Sequence, residues 1–114
     1  MPATSLPPDT AQAAKLFLGR VRARYPVHSA LLFGSRARGS GRSDSDADVA
    51  VVLRGRKGAF VPTKLAMADL AYEVLLETGV HVQPLPIWQD EWEHPEMHRN
   101  PRLLRNIERD GIPL

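Results

Sequence analysis

The chain is 114 residues long, with 43% hydrophobic and 25% charged residues and a formal net charge of +2. That suits one soluble domain with one core, and a charge this small gives no bulk argument for nucleic acid. The absence of cysteine excludes disulfides, thiolate zinc sites and cysteine nucleophiles, and it fits a reducing cytoplasmic compartment.

Residues 1–8 are polar and proline-rich and read as a flexible tail, leaving 9–114 as the single domain. The N-terminus has neither a charged nor an apolar leader region, and no apolar run reaches the ~20 residues of a membrane span. Asp9 with Gln12 forms a capping-box pattern. Ala13, Ala14, Leu16, Phe17 and Val21 then recur at helical spacing through Thr10–Tyr25, and Pro26 stops the helix. Arg20, Arg22 and Arg24 on this segment read as a solvated cluster.

His28–Phe33 is a short apolar run ending at Gly34, which predicts a strand. Residues 39–45 are a loop by composition. Ala47–Leu53 is a second, valine-rich strand. The connection between the two is too short for a parallel crossover, so they should be antiparallel. After a loop at Arg54–Gly58, Val61, Leu65, Ala68, Ala71, Tyr72, Leu75 and Thr78 predict a long helix over Phe60–Thr78, with Gly79 as its C-terminal cap.

Val80–Ile87 alternates and predicts a third strand, which Pro84 and Pro86 confine to an edge. Asp90 is placed to cap a short helical turn through Glu93. Asn100-Pro101 is an N-cap followed by proline, opening a helix over Arg102–Asp110 that stops at Gly111. Trp88, Trp92, Met97, Leu103, Leu104 and Ile107 are expected to pack on the core, with Trp92 and Met97 as the alternative lining of a partner surface. The order α-β-β-α-β-α predicts an α/β fold of α+β type, a small mixed sheet with helices on one face.

One stretch carries chemistry. Gly34-Ser35 ends a strand, where a glycine lets backbone N–H groups approach an anion and the Ser35 hydroxyl adds a donor. Arg36 and Arg38 bring positive charge beside that turn. Asp46 and Asp48 lie two apart at the start of the next strand, so both carboxylates face the same way. Two such oxygens with a nearby phosphate cradle suit Mg²⁺, which binds through one or two carboxylates plus substrate phosphates.

The string Gly34-Ser35, ten residues, then Asp46-Ala47-Asp48 resembles the signature of the DNA polymerase beta-type nucleotidyltransferase superfamily. The surrounding sequence is similar to the minimal nucleotidyltransferase (MNT) proteins, many of them antitoxins paired with a HEPN-domain toxin. The resemblance implies a polymerase beta palm-like fold and transfer of AMP from ATP to a hydroxyl acceptor, with Mg²⁺ as cofactor. It places Gly34, Ser35, Arg36 and Ser45 at the nucleotide and Asp46 and Asp48 at the metal.

It also implies a HEPN-like partner protein as acceptor, within a homo- or hetero-oligomer, and neither membrane nor nucleic acid is indicated. The superfamily's third carboxylate has no counterpart here. Its position falls on Gln83, or on His81 if the register slips by two, while Glu73 and Glu77 should face solvent on the preceding helix. The alternatives are a catalytically weak nucleotide-binding or partner-masking antitoxin and a small-molecule (antibiotic) nucleotidyltransferase. The latter is disfavoured because the chain leaves no second domain for an acceptor pocket.

Overall fold

A computed structural model describes residues 8–34 and 46–114; of the tail expected over 1–8, residues 1–7 lie outside them and Pro8 instead opens the first helix, and the loop at 39–45 also lies outside. The elements are α1 (Pro8–Arg22), β1 (Val27–Phe33), β2 (Ala47–Leu53), α2 (Phe60–Thr78), β3 (Val82–Trp88), α3 (Gln89–Glu93), a 3-10 turn (Pro95–Met97), α4 (Pro101–Asp110) and β4 (Ile112–Pro113). The strands form one sheet in the order β3-β2-β1-β4. β1 and β2 are antiparallel, and β2 and β3 are parallel, with α2 as the crossover. The prolines of β3 sit on an edge strand, where a missing N–H costs no ladder bond.

β2 explains the architecture. A strand flanked on both sides and covered on both faces reads as an unbroken apolar run. All of Ala47–Leu53 is buried except Asp48, which is half-buried. Ala47, Val49 and Val51 face one layer, where Phe17 and Val21 of α1 meet Met67, Leu70 and Val74 of α2. Ala50 and Val52 face the other, with Leu31 and Ile87 against Leu104 and Ile107 of α4. Helices therefore cover both faces, not one as the element order suggested. The physical reason is that β2 has no polar face to give to water, and the apolar stripe of α4 must bury against it.

Three other expectations change. The helix expected through Tyr25 ends at Arg22, followed by turn bonds from the Arg24 and Tyr25 N–H groups to Val21 O. Asp90 lies inside α3 instead of capping it: its carboxylate accepts the Lys57 N–H at 3.0 Å, while Glu91 accepts the Trp88 N–H at 3.3 Å. Glu73 and Glu77 are not merely solvated but both pair with Arg20 of α1, so Arg20 is not simply part of a solvated cluster. The short β4 had no signal in the sequence; it pairs Ile112 with Leu32 at the far edge.

Phe60–Thr78 is helical as expected and closes at Gly79, whose φ of 76° is left-handed and whose N–H donates to Leu75 O at 2.8 Å. Its core face is Met67, Leu70, Ala71 and Val74, so most of the stripe read from the sequence points outward. At α4 the Asn100 side chain accepts the Leu103 N–H at 3.2 Å, with Pro101 at the first helical position. Trp88, Leu104 and Ile107 are buried in the core and Trp92 packs partly against it, but Met97 is exposed.

Candidate active site

Asp48 is the one polar residue of β2. Strand pairing sets it opposite Phe33 of β1 on one side and Gln83 of β3 on the other. Alternation puts its side chain on the α4 side of the sheet, the side of Ala50 and Val52. Gly34 follows directly on Phe33, at φ 78°. A β-carbon there would collide with Asp48 Oδ2 and stand 3.2 Å from Asp48 Cγ. The carboxylate thus lies against bare backbone at the end of β1, and only glycine leaves room for it.

Asp46 stands just before β2, anchored by the neighbouring bond from Ala47 N–H to His81 O at 2.8 Å. Its Oδ1 is 2.9 Å from His81 Nδ1, and its Oδ2 accepts from Gln83 Nε2 at 3.2 Å. A carboxylate only accepts, so the His81 Nδ1 must carry the proton of that contact. Both candidate third positions, separated in the sequence reading by a register slip, therefore touch the same aspartate. About half of each of the Asp46 and His81 side chains remains open to solvent. Ser35, Arg36, Arg38 and Ser45 lie outside the described residues.

Beside Gly34 opens a cleft of about 430 Å³, within the ~300–1,000 Å³ range of small-molecule sites. Phe33 and Leu103 give it apolar walls, and Asn106, Arg109 and Asp110 of α4 add polar groups. Arg109 donates to Asp110 at 3.0 Å, and that bond raises the guanidinium above its ordinary value. Nothing in the motif pointed to α4. Its residues reach the site only because the helix covers this face of the sheet.

The donor set suits a hard divalent cation. Asp46 and Asp48 offer carboxylate oxygens two residues apart, and Asp48 lies against the bare backbone of Gly34. Among the described residues no group of three or more His, Cys, Asp or Glu is placed to hold a metal. A cation held by Asp46 and Asp48 would have coordination positions to fill with phosphate or water oxygens, which is how Mg²⁺ sits in phosphoryl-transfer sites.

Residues 14–112 match the nucleotidyltransferase domain family, and the chain belongs to it. No curated protein matches it significantly. Among solved structures, a Sulfolobus solfataricus protein described as a nucleotidyltransferase has a TM-score of 0.58 and 20% identity, over 92% of this chain and 81% of that one. At that identity the likeness is one of fold, a small mixed α/β sheet with helices. Among the described residues no helix is long and apolar enough to cross a membrane.

Proposed function

We propose that the chain transfers AMP from ATP to a hydroxyl on a partner protein, as the antitoxin of a HEPN/MNT pair. The observation that supports this most is Asp48, the single carboxylate in an otherwise apolar strand, set against Gly34 with Asp46 one pleat away. A carboxylate near the start of an inner strand, with a second one two residues before it, is a donor pair of the kind that a Mg²⁺–nucleotide uses.

Asp46 and Asp48 would hold the divalent cation, which when bound neutralises charge building on the phosphates. The Gly34 turn admits the triphosphate to hydrogen-bonding range of backbone. The cleft of Phe33, Leu103 and Asn106 receives the nucleoside. In the reaction the acceptor oxygen bonds to the α-phosphorus, the bond to the β-phosphate bridging oxygen breaks, and pyrophosphate leaves with that electron pair. The acceptor's proton needs a base. Gln83 cannot take it. His81, turned by Asp46 so that Nε2 is its free nitrogen, is the candidate within reach of the site.

The occupation of the third position by Gln83 favours a second reading, a module that binds nucleotide and masks its partner while catalysing slowly. Single-turnover transfer from labelled ATP with Mg²⁺ onto the product of the adjacent reading frame separates the two. Label on the partner, lost with Asp48→Asn, supports transfer. Tight ATP binding with no label at any time supports masking.

A further inference from the structure

The α2 helix is apolar on two opposite sides. Met67, Leu70, Ala71 and Val74 are buried against the sheet. Facing away from them, Val61, Leu65, Tyr72 and Leu76 are 62, 62, 59 and 69% exposed. Ala68 is exposed between them and Leu75 half-buried. Monomeric proteins seldom leave so much apolar side chain in one row.

The spacing is specific. Val61, Leu65, Ala68, Tyr72 and Leu75 follow one another at four, three, four and three residues. That alternation averages 3.5 residues and keeps a stripe facing a neighbouring helix, as in a coiled coil. Two charges flank the stripe, Lys64 on one edge and Asp69 on the other. Lys64 is steadied at its edge by the Phe60 ring, 5.8 Å from the centroid. The acidic residues further round, Glu73 and Glu77, belong to Arg20 of α1.

Lys64 and Asp69 are five residues apart, the separation at which opposite edges meet in a parallel, in-register pair of helices. A two-fold axis along the seam would set Lys64 of each copy against Asp69 of the other, twice. In an antiparallel pair like edges meet, and this match is lost. We infer that the exposed face of α2 is a homodimer interface, in which a second copy of this chain packs its own α2 parallel and in register. The seam is about two heptads long, so association should be reversible and concentration-dependent.

Sedimentation equilibrium of the full chain tests this. The wild type should move from monomer to dimer with concentration, and Leu65→Glu and Tyr72→Glu should remain monomeric with unchanged circular dichroism. Lys64→Glu or Asp69→Lys alone should weaken dimerisation roughly tenfold, and the two together should restore it. Direction is read by cross-linking, because the chain has no cysteine of its own. In a parallel pair Leu65→Cys and Tyr72→Cys each form a disulfide with their own copy, whereas an antiparallel pair brings at most one position against itself. A wild type that stays monomeric, a dimer indifferent to Leu65→Glu, or cross-linking at only one position overturns the inference.

Discussion

Gly34→Ala tests the geometry of the site most directly. The backbone at Gly34 has φ 78°, and a side chain there costs about 1–2 kcal/mol from the left-handed conformation alone. The new β-carbon also collides with Asp48 Oδ2, so the carboxylate must leave its rotamer, for roughly 0.5–1.5 kcal/mol more. We expect a total loss of about 1.5–3.5 kcal/mol, or roughly 6–14 °C in Tm at ~4 °C per kcal/mol for a domain of this size.

Gly55 supplies the control. Its φ is 93° with nothing within 4 Å, and it follows the far end of β2. Gly55→Ala should therefore carry only the backbone cost and bind Mg²⁺·ATP normally, while Gly34→Ala should lose binding by an order of magnitude or more. Repeating Gly34→Ala in an Asp48→Ala background removes the collision, so the two changes should couple by about 0.5–1.5 kcal/mol. Melting curves and calorimetry give both quantities. If Gly34→Ala binds Mg²⁺·ATP like wild type, or shows no coupling to Asp48, the carboxylate does not depend on that bare backbone.

Asp46→Asn and Asp48→Asn should each abolish metal-dependent ATP binding while the fold persists; unchanged affinity in calorimetry for both would remove the metal assignment. Gln83→Asp should raise the single-turnover transfer rate, toward the 10²- to 10⁴-fold that a positioned base contributes, and a slower variant would show that Gln83 does not stand in for a carboxylate. The same substitution exchanges the donor to Asp46 for a like charge, so without Mg²⁺ its Tm should fall and with Mg²⁺ recover. His81→Ala, which removes the Nδ1 donor to Asp46, should slow transfer more than it weakens ATP binding; equal effects on both would assign His81 to positioning Asp46. Asn100→Ala should cost about 1 kcal/mol by uncapping α4, and an unchanged melting temperature would mean that water replaces the cap.

Local rules determined much of this chain. The valine run of β2, the helix Phe60–Thr78 and the caps at Gly79 and Asn100 were legible, because backbone conformation and short-range hydrogen bonds depend on near neighbours. The spacing of Asp46 and Asp48 was legible too, although β2 begins at Ala47 and strand periodicity therefore governs only the second of them. Tertiary structure decided what depends on partners distant in sequence. It set which stripe of α2 meets the core, since that helix has two apolar sides and periodicity cannot rank them. It put α4 on the second face of the sheet, bringing Asn106 and Arg109 beside Gly34. The parallel register of β2 and β3 brought both His81 and Gln83 to Asp46, a contact across 35 and 37 residues that no local pattern encodes.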